Sequence, residues 1–327
     1  MSPVGESEIT AASNRFVAEH LAEATALGER LAELVQDPDA FVAAMKQGFE
    51  ALGDPVYAAG SSSVAPGLGP ILGVRVPLME AAQKAFKRGT RDASTSLLVG
   101  VMDCLLREDL RELRWFGMWN LGRVLPTDPE RTWQLLRRAA READEWITVD
   151  TLAHPYGEGI LRDSRRWSEL EQLVYSPSRW ERRLVGSTLA TMPHVRGIPG
   201  GKDAPVREHG LALIGRLIGD SEPDVQKALS WALRTFAQLD PEATASFLGA
   251  ETETARSTDD GHRAWVIRDS VSKLPPETAA RFKTSLDGIR RRPGAPSTSR
   301  AAVATAAFLN AGATPRSEDT TRRISAQ

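Results

Sequence analysis

The residues best suited to chemistry are tryptophans that stand one helical turn from a charged side chain. Trp146 and Asp150 are four residues apart, so on a helix they share one face. An indole face binds a base, a sugar or a cation, and a carboxylate next to it stabilises developing positive charge. The alternative interpretation of Asp150 is a helix cap or a surface acid.

The same pairing recurs twice further along the chain. Trp180 stands one turn before Arg183, and Trp231 stands between Lys227 and Arg234. If the helices that carry these residues stack as repeats, the three positions line up on one face. The chain has eight tryptophans and only three tyrosines. Core packing is the alternative role of the indoles, and it is the role expected of Trp115, Trp133 and Trp167.

The elements that position these residues are predicted to be helices. No alternating β-branched stretch lies between hairpin turns, so strand signals are nearly absent. A capping side chain, a proline and, in most cases, an acid mark repeated helix starts at 127–130, 176–178, 221–224, 240–242 and 274–277. Asp37-Pro38 separates two further helices, and Pro77 suits the first turn of another.

Similar amphipathic helices open at intervals of 33, 34, 45 and 40 residues, at Leu113, Trp146, Trp180, Val225 and Trp265. This spacing overlaps the period of HEAT-type helix pairs, so we expect an all-α fold, an α-solenoid of HEAT-like antiparallel helix pairs. The predicted organisation is an N-terminal helical extension (1–59), a repeat domain (60–286) and a mostly disordered tail (287–327). Residues 60–73 are predicted to form a loop, and 194–204 an excursion between repeats.

Composition excludes several classes of protein. With 41% hydrophobic and 26% charged residues over 327 positions, the chain is typical of a soluble globular protein. No apolar run is long enough to cross a bilayer, and the N-terminus lacks the pattern of a secretory signal, so we expect a cytoplasmic protein. The single cysteine, Cys104, excludes an internal disulfide and a cysteine zinc cage, and the five histidines lack metal-ligand spacing.

The formal net charge of −2 is unevenly distributed. Residues 1–83 carry a net charge of −7, residues 84–200 carry +3 and residues 201–327 carry +2. A solvated set of ion-paired helix faces accounts for this pattern, and so does a basic stripe that follows a phosphate backbone. The arginines available for such a stripe are Arg137, Arg138, Arg141, Arg179, Arg182 and Arg183.

Three segments taken in order resemble a known family. They are EWITVDTLAH around Trp146 and Asp150, SPSRWERRLVGS around Trp180 and Arg183, and KALSWALRTF around Trp231. Together they resemble the AlkD-type DNA alkylation repair glycosylases, over residues 60–286. The resemblance implies a right-handed superhelix of HEAT-like repeats with a basic groove for duplex DNA. It also implies excision of cationic alkylated purines such as N3-methyladenine and N7-methylguanine.

The resemblance also implies roles for individual residues. Asp150 would be the catalytic carboxylate, Trp146 and Trp231 would flank the deoxyribose of the lesion, and Arg183 would contact the backbone there. Further DNA contacts would come from Arg179, Arg182, Lys227 and Arg234. The chain departs from the family pattern at Glu145, where an aromatic or neutral residue is common, in the 194–204 excursion and in the tail.

This chemistry suits the residue types. An N3- or N7-alkylated purine is cationic and leaves as a neutral base, which gives the sugar oxocarbenium character that a carboxylate and indoles stabilise. We therefore expect a monofunctional alkylpurine DNA glycosylase, a nucleoid-associated monomer without metal or organic cofactor. The alternatives are a non-catalytic HEAT-like scaffold that binds DNA or protein, and a glycosylase specialised for bulky natural-product adducts.

Overall fold

The structure, a computed structural model, describes residues 3–312 of the chain. Within this range it contains sixteen α-helices and no β-strand, which confirms the predicted all-α fold. The first eight helices are α1 (Pro3–Glu33), α2 (Pro38–Ala51), α3 (Pro55–Val64), α4 (Val76–Gly89), α5 (Thr95–Leu106), α6 (Arg111–Val124), α7 (Pro129–Glu142) and α8 (Trp146–Arg162). The others are α9 (Trp167–Leu173), α10 (Arg179–Thr191), α11 (Ala204–Leu217), α12 (Pro223–Leu239), α13 (Pro241–Thr258), α14 (Gly261–Ser270), α15 (Pro276–Ser285) and α16 (Arg300–Gly312).

The helices from α5 onward form two layers. Helices α6, α8, α10, α12 and α14 pack side by side in chain order, and we call them the first layer. The helices that alternate with them along the chain, α5, α7, α9, α11, α13 and α15, form the second layer. This is the arrangement of a helical-repeat solenoid. The five residues predicted to open similar helices, Leu113, Trp146, Trp180, Val225 and Trp265, all lie in the first layer.

Most of the predicted helix starts are confirmed, because they depend on chemistry local to each start. Helices α2, α7 and α13 each begin with proline directly after an aspartate whose side chain accepts a backbone N–H of the first turn. The cap satisfies a donor that the helix leaves unpaired, and proline has no N–H to satisfy. Helix α4 has Pro77 in its first turn. The predicted loop at 60–73 is partly wrong, since α3 continues to Val64.

Helix α10 lies at the centre of the first layer and approaches its neighbours closely. Its residues 183–190 are all buried. A Cβ atom at Gly186 would lie 2.7 Å from the carbonyl carbon of Ala228 in α12. On the other side, a Cβ atom at Gly157 of α8 would lie 3.1 Å from the side chain of Met192, just past α10, and 3.7 Å from the carbonyl oxygen of Thr188. The glycines therefore allow α10 to pack closely against both neighbours, most closely against α12.

The N-terminal helices are joined to the repeats by a buried carboxylate. Glu112 at the start of α6 accepts hydrogen bonds from the backbone N–H groups of Leu72 and Gly73, both at 2.8 Å. Burial raises the pKa of Glu112 above its ordinary value, while these hydrogen bonds oppose the rise. Asp54, which caps α3, also pairs with Arg75 at 2.7 Å. These contacts fix the end of the loop that leads into α4.

Residues 287–312, the described part of the predicted tail at 287–327, pack on the repeats instead of being disordered. The backbone of Arg290 lies against Gly261 at the start of α14, Thr298 lies against Gly219 just before α12, and α16 packs on α11. Thr298 donates its N–H to Gly219 at 2.9 Å, and Arg291 donates to Gln226 at 2.9 Å and lies over the ring of Trp265. These contacts join residues far apart in sequence, so composition gave no sign of them. Residues 313–327 of the predicted tail lie outside the described range.

The close packing of α10 predicts opposite effects for two glycine substitutions. Gly186→Ala should destabilise the protein by about 1–3 kcal/mol, because the new methyl group overpacks the α10–α12 contact. Gly100 lies exposed in α5 with no atom within 4 Å of a Cβ at that position. Gly100→Ala should stabilise by about 0.5–1 kcal/mol through helix propensity alone. Urea unfolding of both variants measures the difference, and equal effects would contradict the packing argument.

Candidate active site

The centre of the candidate site is an ion pair between α8 and α10. Arg183 donates from Nε to Oδ1 of Asp150 at 3.1 Å and from one terminal nitrogen to Oδ2 at 2.8 Å. Ser187, one turn further along α10, donates its hydroxyl to Oδ1 at 2.6 Å. Both carboxylate oxygens are therefore fixed, and Oδ2, with a single partner, retains acceptor capacity for another molecule.

Arg183 also ties this pair to α12. Its other terminal nitrogen donates to the backbone carbonyl of Asp224 at 2.8 Å, in the first turn of α12. The guanidinium lies 5.8 Å from the centre of the Trp146 ring. One arginine thus connects three first-layer helices and contacts the indole next to the carboxylate.

Burial of the pair is asymmetric. The side chain of Arg183 is 7% exposed, whereas that of Asp150 is 21% exposed. A molecule that reaches the pair from solvent therefore meets the carboxylate before the guanidinium. The electrostatic consequence is a site that presents negative charge outward, although the pair itself is neutral.

Trp146 is placed by the start of α8. It is the first residue of the helix, and Glu145 is the cap, accepting hydrogen bonds from the N–H groups of Ile147 at 2.5 Å and Thr148 at 2.8 Å. Glu145 is fully buried. The departure from the family pattern at this position therefore has a structural role, since the carboxylate fixes the backbone that carries the indole.

The indole of Trp146 also contacts the N-terminal part of the chain. Its Nε1 donates to the carbonyl of Val64 at 3.3 Å. Val64 is the last residue of α3, a helix without a buried residue. The orientation of Trp146 consequently depends on a segment outside the repeats. Sequence analysis missed this contact, because the two residues are 82 positions apart.

Trp231 lies on the partly exposed side of α12. It is half-buried and shares a stripe with exposed Lys227 and half-buried Arg234. Arg234 pairs with Asp269 of α14 at 2.5 Å, and Ser230 donates to the same carboxylate. Helix α10 lies between α8, which carries Asp150, and α12, which carries Trp231. That Trp146, Asp150 and Trp231 act together on one substrate stays a prediction.

The predicted DNA-binding arginines are mostly engaged in contacts within the protein. Arg182 pairs with buried Asp220 at 2.7 Å and donates to the carbonyl of Ser176 at 2.8 Å. Arg179 lies over the ring of Trp180 and is 3.6 Å from Glu222. Of the other arginines considered for a basic stripe, Arg137 and Arg138 lie in second-layer α7, where they pair with carboxylates of α9 and α5.

The remaining aromatic residues divide between core and site. Trp133 is buried, as expected, and packs at a tilted angle against Tyr156. Trp115 is only half-buried, and its Nε1 donates to Thr148 at 2.9 Å, two residues from Trp146. Cys104 is partly exposed in α5, and burial raises the pKa of its thiol. A raised pKa disfavours the thiolate that a cysteine nucleophile requires.

The family to which the chain belongs follows from a comparison with protein-family models. A family model described as DNA alkylation repair enzyme matches residues 45–274. The chain belongs to this family. A search of curated proteins gives no match.

In this DNA alkylation repair enzyme, the matched region contains the ion pair, the two tryptophans of the predicted site and the first layer from α6 to α14. The match begins in α2, ahead of the boundary predicted at residue 60. Among the described residues, none of the helices has the length and apolar character of a membrane span. No cluster of three or more His, Cys, Asp or Glu in that part of the chain is placed to hold a metal ion.

The three contacts of Arg183 predict that lysine cannot replace it. A lysine amine keeps the charge but not the fork that holds both oxygens of Asp150. Arg183→Lys in this DNA alkylation repair enzyme should therefore lower the free energy of unfolding by about 1–3 kcal/mol. The matched control is Arg107→Lys, which alters an exposed pair with Asp103 in α5 and should change little. Urea denaturation measures both, and similar losses would contradict the role of burial.

Proposed function

We propose that this DNA alkylation repair enzyme is a monofunctional glycosylase. It hydrolyses the N-glycosidic bond of cationic alkylated purines, of the N3-methyladenine and N7-methylguanine type, in duplex DNA. The observation that carries the proposal is the carboxylate of Asp150, fixed by Arg183 and Ser187 beside Trp146 on the solvent side of a buried guanidinium. Such an arrangement suits a short-lived cation better than a stable anion.

The proposed reaction begins with loss of the base. The bond between C1′ and the purine nitrogen breaks, and its electron pair goes to the base, which leaves neutral. The sugar acquires oxocarbenium character. Asp150 stabilises this charge without reorganisation, because its partners already fix it. Each indole face contributes about 0.5–2 kcal/mol when desolvated, and Trp146 and Trp231 are the proposed indoles.

Water completes the reaction. In our proposal Oδ2 of Asp150 accepts a hydrogen bond from a water molecule, which attacks C1′ and loses a proton to the carboxylate and then to solvent. The products are the free base and an abasic site. The chain supplies no group that forms a covalent link to the sugar in this scheme.

Asp150→Asn tests the catalytic assignment. The substitution keeps the volume and removes the charge, so release of N3-methyladenine should fall on the order of 100- to 1000-fold. The measurement is single-turnover excision from methylated duplex DNA, with the free bases identified by chromatography. Asp103→Asn is the control, because Asp103 also pairs with two arginines but lies in second-layer α5.

The outcomes separate the alternatives. Wild-type excision by Asp150→Asn would show that the assignment is wrong, whereas equal losses in Asp103→Asn would point to a general effect of broken ion pairs. A wild-type protein that binds DNA but releases no base from methylated or bulky adducts would be the non-catalytic scaffold. Release confined to bulky N3 or N7 adducts would identify the specialised glycosylase.

The charge of the lesion provides an independent prediction. A neutral base such as hypoxanthine leaves only if an acid protonates it, whereas an N7-alkylated guanine already carries its positive charge. The enzyme should therefore release N7-methylguanine and leave hypoxanthine in a matched duplex untouched over the same time. Comparable release of both bases would require a general acid and would contradict the proposed mechanism.

A further inference from the structure

The segment between α10 and α11 is a glycine-rich loop that carries exposed basic side chains. It runs through residues 193–203, PHVRGIPGGKD, and encloses an open cavity of about 640 Å³. His194, Arg196 and Lys202 are all exposed. None of these residues belongs to the candidate active site around Asp150 and Arg183.

The base of the loop is held firmly. Asp203 donates its N–H to the carbonyl of Gly200 at 2.9 Å. Gly201 is buried against Met192 and the side chain of Leu161, in the last turn of α8. Arg207, which is anchored by Asp240 at 3.1 Å, donates to the carbonyl of Lys202. The loop is therefore a built element at the C-terminal ends of α8 and α10.

The tip of the loop is open and polar. Gly197 and Gly200 have φ angles of +75° and +99°, a region that favours glycine. At Gly197 no atom lies within 4 Å of a Cβ position, so another molecule can approach the backbone N–H groups there closely. Asp203 is the one carboxylate on the cavity wall, beside the two formal cations Arg196 and Lys202.

These two cations differ from most arginines of the first layer. Arg179, Arg182, Arg183 and Arg234 all pair with carboxylates. Within the described residues, neither Arg196 nor Lys202 has an ion-pair partner in the protein, and both remain available to an external anion.

The position of the loop fits a duplex that lies across α10. The ion pair and Trp146 lie at the N-terminal ends of the first-layer helices, and the loop lies at the opposite ends. From Arg183 to its end at Thr191, α10 rises by about 12 Å. This distance is comparable to the width of the major groove of duplex DNA, about 12 Å.

We propose that the loop 193–203 is a phosphate-binding edge that holds the duplex on the side away from Asp150. Arg196 and Lys202 contact backbone phosphates, and the backbone N–H groups near Gly197 and Gly200 add hydrogen bonds. The inference rests on the proposed function, since it takes duplex DNA as the ligand. The contacts carry no sequence information and fix the position of the duplex relative to the site.

The test compares two double variants with equal loss of charge. Arg196→Ala/Lys202→Ala removes the loop cations. The control, Arg281→Ala/Lys283→Ala, removes two exposed cations without ion-pair partners among the described residues, in second-layer α15. Binding of the full chain to an undamaged fluorescent duplex is measured over a series of salt concentrations, for example by anisotropy.

The loop variant should bind on the order of 10-fold more weakly per cation at 0.1 M salt, and its log–log salt slope should be shallower by about 0.9 per lost contact. The control variant should match the wild type. Equal behaviour of the two variants would overturn the loop assignment alone, whereas a wild type that binds no duplex at low salt would also overturn the proposed function.

A second measurement locates the contact without relying on affinity. Acylation of lysine amines, followed by mass spectrometry, should show Lys202 protected by the duplex and Lys283 unprotected. Protection of neither lysine, with binding intact, would place the duplex elsewhere and would overturn the proposal. Protection of both would point to non-specific coating of the protein and would also contradict a defined edge.

Discussion

The arrangement of the site depends on the ion pair between Asp150 and Arg183. A nearly buried guanidinium needs a counter-charge, and a carboxylate near the surface needs a fixed partner if it is to keep one position. The pair satisfies both requirements, and the third contact of Arg183, with the carbonyl of Asp224, extends the constraint to α12. Three helices from consecutive repeats are consequently held in one register at the place where the chemistry is proposed.

Helix α10 makes this arrangement possible because small residues stand at its contacts with α8 and α12. Gly186 and Ser187 face its neighbours, and every residue from 183 to 190 is buried. Asp150 of α8 and Trp231 of α12 are both more exposed than this stretch of α10. A bulkier residue at Gly186 would push α12 away from α10, because a Cβ atom there would lie 2.7 Å from the carbonyl carbon of Ala228.

The parts of the structure that sequence predicted well are those set by local rules. The start of α7 at Asp128-Pro129 and the shared face of Trp146 and Asp150 follow from capping and helical periodicity. Contacts between helices were not predictable in the same way. Nothing in the sequence indicates that Ser187 donates a hydrogen bond to Asp150, or that Arg182 forms an ion pair with Asp220. Both contacts depend on how the repeats stack.

The contact between Trp146 and the carbonyl of Val64 affects where the functional unit begins. A boundary at residue 60 suits the repeat pattern, yet it passes through α3 and separates Val64 from the cap at Asp54 that starts this helix. A chain shortened there would keep every repeat and every predicted catalytic side chain, while the indole N–H would bond to water. If Trp146 acts as proposed, the minimal active unit is longer than the solenoid, because α3 then holds one of the site's indoles from outside the repeats.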